Sequence, residues 1–266
     1  KRTGRIIDFF FVRRYNIVMI PYEHKRVFDV RYCDVDFKDE LKPSSVLVYF
    51  EEAAGSSAEE LGFGYSRLKP AGYTFMLTNV RCRIYKPVPL GARIVVRTWP
   101  TPPSYVVFGR EYKVESESGE VFMDASSRWC MVDLKTGRFL QSKALTDQDY
   151  SSYNPARALN VDRWKIPPFS PEEGEGRFAM TVANSEYDHN MHVNNTRYAD
   201  YCFNCFSVEE LRARKLREFS LAYLRQCHEG DNLRFVRKQT EEGVFRVAGF
   251  NDAGETVVQS EILFGE

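Results

Sequence analysis

The chain has 266 residues, 43% hydrophobic and 14% aromatic, enough to bury one large core or two ordinary ones. Lysine plus arginine number 37 and aspartate plus glutamate 37, so the formal charge is zero, and nothing global points to nucleic acid or a membrane surface. Six scattered cysteines argue against a disulfide framework and fit a reducing compartment, and no apolar run approaches the roughly 20 residues that span a bilayer.

In chain order, residues 1–18, with Phe9, Phe10, Phe11 and several arginines ahead of Met19, read as a disordered or upstream extension, with a transit peptide as the second reading. Residues 19–150 form a first unit. Arg26 to Tyr32 alternates like a strand, Pro43-Ser44-Ser45 opens a helix with Val46, Tyr49, Phe50, Ala53, Ala54 and Leu61 at helical spacing, and four strand-like runs follow between Val80 and Val132. Residues 151–176, rich in proline and glycine, read as a linker. Residues 177–266 repeat the plan: a strand from Arg177 to Val182, a helix opened by Asn194-Asn195, then four strands between Phe219 and Phe264. Within that helix Cys202 and Cys205 form a C-x-x-C, read as buried packing because no second pair completes a zinc site.

One helix can satisfy the apolar face of such a sheet only by lying across it. The expected fold is therefore α+β: two tandem hot-dog domains, each an antiparallel sheet wrapped around a long helix, joined edge to edge so that exposed strand edges are covered.

Two of the four histidines sit in Asp188-His189-Asn190-Met191-His192-Val193-Asn194-Asn195, between a strand and a helix. If the entry to the helix is extended, Asp188, Asn190 and His192 leave the chain on one side and converge on one pocket. Unpaired amides of a first helical turn could add an oxyanion site. Thioester hydrolysis asks for those groups: a base for water, a donor for the carbonyl oxygen, and a leaving thiolate that needs no strong acid and no metal. Two other readings stand beside it, capping residues with a loop histidine, and a metal site built on Asp188, His189 and His192.

That segment, with Tyr198, resembles the D-x-N-x-H-V-N-N-x-x-Y segment of acyl-acyl carrier protein thioesterases, and Phe219 to Cys227 resembles the later family strand ending in Y-R-R-E-C. The resemblance implies hydrolysis of fatty acyl-acyl carrier protein, in a bacterial cytoplasm, with no cofactor and no metal. It places the catalytic aspartate, asparagine and histidine on Asp188, Asn190 and His192. The family's glutamate-cysteine pair falls on Gln226-Cys227. Gln226 cannot take a proton, so His192 or Asp188 must be the base, with Asn190 and an amide near Val193 holding the carbonyl, and Cys227 is expected to be structural.

The first-half counterpart, Cys33 to Lys38, lacks both the asparagine and the histidine and should be silent, leaving that half to bind the acyl chain through the helix and the aromatic run Tyr65 to Phe75. The acidic carrier is expected to meet a basic surface drawn from Arg212, Arg214, Lys215, Arg217, Arg225, Arg234, Arg237 and Lys238. The chain should act as a monomer or homodimer. Acyl-coenzyme A hydrolysis and dehydration of a 3-hydroxyacyl chain are the alternatives.

Overall fold

The computed structural model describes residues 22–144 and 153–265; the expected extension over 1–18 lies outside them. Ten strands form one antiparallel sheet: β1 His24–Asp29, β2 Tyr73–Ile84, β3 Arg93–Pro100, β4 Val107–Ser116, β5 Val121–Asp133, β6 Glu175–Thr181, β7 Lys215–Tyr223, β8 Asn232–Glu241, β9 Val244–Phe250 and β10 Thr256–Gly265. Their spatial order is β1-β3-β4-β5-β2-β7-β10-β9-β8-β6. Five strands from each half meet at the β2–β7 pair, which makes this the double hot dog expected of the sequence.

The seam is antiparallel, with Asn79 opposite Ala222 and Arg83 opposite Glu218. The buried Glu218 carboxylate accepts from Arg81 and Arg83 of the other half. Such paired charge at a sheet junction fixes register, since a one-residue slip would strand Glu218 without a cation.

Helix α1, Pro43–Glu60, starts with proline at its first position, where the missing N–H costs nothing. Its apolar side buries Val46, Tyr49, Phe50 and Ala53. Phe50 stacks on Tyr112 of β4 and Tyr49 on Phe28 of β1, at 4.3 and 4.5 Å between centroids. A short helix, α2 (Tyr65–Leu68), follows.

The second half departs from the expected long helix. It has two short ones, α3 (Arg197–Phe203) and α4 (Val208–Arg212). Ser207 explains the break: its hydroxyl accepts from the Glu210 amide at 3.1 Å and the Glu210 carboxylate accepts from the Ser207 amide at 2.8 Å, so a new helix is capped where the old one would have continued. Buried residues of α1 and α3 belong to one continuous apolar core through both halves. The described part of the linker is irregular but packed. Leu159, Ile166 and Phe169 are buried, and Arg157 pairs with the buried Glu111 carboxylate at 2.8 Å on the outer face of β4.

Candidate active site

The segment from Tyr187 to Val193 closes on itself as a tight turn. Tyr187 and Val193 form a bridge, the Asp188 amide donates to the His192 carbonyl at 3.1 Å, and the Met191 amide donates back to the Asp188 carbonyl at 3.1 Å. Met191 takes a positive φ of 65°, an uncommon conformation for a side-chain-bearing residue. Asp188 holds the turn from inside, its Oδ1 accepting from the Asn190 amide at 2.7 Å and its Oδ2 lying 3.4 Å from the Asn190 side-chain nitrogen.

The His192 ring is fixed from one side. Its Nδ1 lies 3.1 Å from the Val193 carbonyl, which can only accept, so in the neutral ring Nδ1 carries the hydrogen and Nε2 keeps the lone pair. Asp188 Oδ1 stands 3.8 Å from the same nitrogen.

Asp188, Asn190, His192 and Gln226 all line one cavity of about 340 Å³. The route by which they meet differs from the expected one: a left-handed tight turn gathers them, not an extended entry to a helix, and α3 begins only at Arg197. Asn194 caps the approach, its side-chain oxygen accepting from the Thr196 amide at 2.8 Å and hydroxyl at 2.6 Å. Nor is the Val193 amide available to a carbonyl, because it donates to Cys227 O at 3.1 Å. The Asn195 amide, on a residue of the cavity wall, has no partner among the described residues and replaces it as a candidate donor. Gln226 is exposed at the cavity rim just beyond β7.

Cys227 is 1% exposed, and burial pushes its thiol above the ordinary range. That is the environment of an inert thiol. Cys202 and Cys205 are buried free thiols as well, and burial raises both.

A second cavity, about 280 Å³, adjoins the first and shares Glu51, Thr74, Phe75, Trp129 and Asn190 with it. His189 stands at this junction, edge-on to Tyr65 at 4.7 Å. Glu51 is the residue that reading the sequence missed. It projects from α1 into both cavities, accessible from them although protein surrounds it, and burial chiefly raises its carboxyl, with Asn194 opposing the rise and Asp188 adding to it. The signal was present: Leu47, Glu51, Ala54 and Ala58 share a side of α1, and only one of them is charged.

The basic residues expected to greet a carrier are mostly engaged within the chain. Arg237 is buried against Glu210 at 2.9 Å and over the Phe206 ring. Arg225 pairs with Glu255 and Lys238 with Glu173, while Arg214 lies over Phe245. Among the described residues, no group of three or more His, Cys, Asp or Glu side chains is placed to hold a metal, and no helix is long and apolar enough to cross a membrane.

Family models for the acyl-ACP thioesterase N-terminal domain and C-terminal domain match residues 21–145 and 171–266. The chain belongs to the acyl-ACP thioesterase family. Among the solved structures most similar to this family member, an acyl-ACP thioesterase from Bacteroides thetaiotaomicron superposes with a TM-score of 0.83 at 23% identity, covering 91% of this chain and 98% of that one. The 12:0-ACP thioesterase from Umbellularia californica gives 0.81 at 17% identity, covering 91% and 97%. These likenesses establish the shared fold. In sequence, a chloroplastic acyl-[acyl-carrier-protein] hydrolase of Cuphea viscosissima is 22% identical over 222 residues, 80% of this chain and 54% of its own length. A chloroplastic oleoyl-acyl carrier protein thioesterase of Arabidopsis thaliana is 21% identical over 233 residues, 82% and 64%. The chain thus spans between about half and two thirds of the length of these curated relatives.

Proposed function

We propose that the protein hydrolyses the thioester of a fatty acyl-acyl carrier protein and releases the free fatty acid, with the second half carrying the chemistry and the first half holding the acyl chain. The observation that carries this reading is the convergence of Asp188, Asn190, His192 and Gln226 on a cavity that opens directly into a second, largely apolar one.

His192 Nε2 takes the proton of an attacking water, Asp188 supplies the negative charge that stabilises the resulting imidazolium, and Glu51 faces Asn194 and Asp188 from α1. Gln226 accepts a hydrogen bond from the water and orients it, without receiving its proton. The Asn190 side-chain amide and the Asn195 backbone amide hold the carbonyl oxygen as it becomes negative. The imidazolium then returns its proton to the leaving thiolate, so no acyl-enzyme forms. With a carrier-borne substrate the reaction belongs to a bacterial cytoplasm, and the chain acts as a monomer or homodimer.

The test is free-thiol release from carrier-bound and coenzyme A-bound acyl chains of several lengths. His192→Ala at matched folding should lower kcat by roughly 10²–10⁴-fold. Undiminished release would remove His192 from the mechanism, and formation of an enoyl thioester without thiol would turn the assignment to a dehydratase.

A further inference from the structure

The second cavity runs beside α1, where Ala54 and Ala58 line it with the rings of Phe63, Phe75 and Phe108, and its charged lining is Glu51, Glu59 and Arg110. The Glu59 carboxylate is taken by the Ser66 amide and hydroxyl.

Arg110 belongs to β4 and is 9% exposed. Its Nη1 donates to Ser57 Oγ at 2.9 Å and Thr98 Oγ1 at 3.2 Å, both neutral oxygens. No carboxylate lies within ion-pairing distance of it among the described residues, and the remaining guanidinium nitrogens have no partner there. The neighbouring acid cannot help, because strand alternation sends Glu111 to the opposite face, where Arg157 takes it. Arg237, likewise buried, has its carboxylate in Glu210. Burial raises the nearby Tyr112 and Tyr22 hydroxyls, which stay protonated, and pulls the pKa of Arg110 down, yet a guanidinium stays charged.

A desolvated cation without a counter-ion is costly. Water filling the cavity can satisfy its donors, but a methyl-ended chain reaching Arg110 would displace that water and return nothing. An oxygen at the chain end would restore the bonds, and a carboxylate would also supply the missing charge.

We propose that Arg110, in the wall of this cavity, makes it a receptor for acyl chains whose far end carries an oxygen acceptor, a carboxylate above all. The inference rests on the reading of the cavity as the acyl site and adds to it the polarity of the substrate's distal end.

The experiment has two arms on wild type and Arg110→Met, a replacement close in length without the charge. One measures kcat/KM for carrier-bound chains of matched lengths ending in methyl or carboxyl. The other measures the Kd of free monocarboxylic and α,ω-dicarboxylic acids by calorimetry, which needs no turnover. Over one window of chain length the carboxyl-ended chain should be favoured by about tenfold or more, in both arms. Arg110→Met should abolish that preference while improving methyl-ended chains of the same length. Equal values for the two ends at every length in wild type would overturn the proposal, as would equal losses for both ends in the variant. Should Arg110→Met fail to fold, the wild-type length series still decides. If no thioester is cleaved at all, the hydrolase reading fails and the diacid Kd alone supports or overturns this one.

Discussion

The turn over Asp188–His192 has a counterpart in the first half over Asp36–Glu40, bond for bond. Val35 bridges Leu41 as Tyr187 bridges Val193. The Asp36 amide donates to the Glu40 carbonyl at 2.8 Å, the Asp39 amide returns to Asp36 at 3.1 Å, and Asp39 takes a φ of 58° where Met191 takes 65°. Both turns are tied to the helix that follows, Asp34 to the Tyr49 hydroxyl and Glu186 to the Tyr201 hydroxyl. What differs is the chemistry. Lys38 and Glu40 occupy the places of Asn190 and His192 and pair with each other at 2.8 Å. Conversely Glu51 on α1 reaches the site of the other half, whereas the matching position of α3 is Phe203. One backbone device, held by the same bonds, thus carries the proposed catalytic groups in one copy and a partly exposed ion pair in the other, and neither half has the whole proposed site.

After His192→Ala, substitution at the contribution that crosses between the halves should give the largest effect. Glu51→Gln is expected to lower kcat about tenfold with little change in KM, from loss of the carboxylate that faces Asn194 and Asp188. It should also move stability the other way. Because burial holds the Glu51 carboxyl above its ordinary value, folding favours its protonated form. The stability that follows is full below the ordinary carboxylate range and lost as pH rises through the raised value. The variant, which cannot charge, should therefore melt about 1–2 °C higher near neutral pH, a small gain because cavity water screens the site, and show no gain in acid. Thiol-release kinetics and melting curves across pH check both signs; a fall in kcat and melting temperature together would make Glu51 structural.

Cys227→Ala tests whether the second half uses a thiol. Most activity should remain, with a stability loss of about 1 kcal/mol from the small void. Near-total loss of turnover in a folded variant would restore Cys227 as a nucleophile. The smallest effect is expected in the first half, where Lys38→Asn with Glu40→His copies the other turn. Loss of a partly exposed ion pair should cost less than about 1 kcal/mol, and kcat should not rise, because the matching helix position is Phe203. A second set of active sites on titration would mean that the turn alone is sufficient.

Much of this was legible in the chain. The order of elements, the helix opened by Pro43 and the clustering of Asp188, Asn190 and His192 follow from local periodicity and from a short polar segment, both of which are written in consecutive residues. The broken second helix was legible too, had Ser207 and Glu210 been read as a capping box. The silence expected of the first-half turn rested on residue types alone, and the Lys38–Glu40 pair gives that difference a physical form.

The sequence by itself determined the double plan, the grouping of Asp188, Asn190 and His192 in one short segment and the absence of a carboxylate at Gln226, because each depends on spacing within a few residues. Tertiary structure alone decided three things: that Glu51 meets Asp188, that the Val193 amide is spent on Cys227, and that Arg110 lines the second cavity with no carboxylate within ion-pairing distance among the described residues. Each joins elements far apart in the chain, and which side chains meet across such a distance is set by sheet closure and helix placement, to which local pattern is blind.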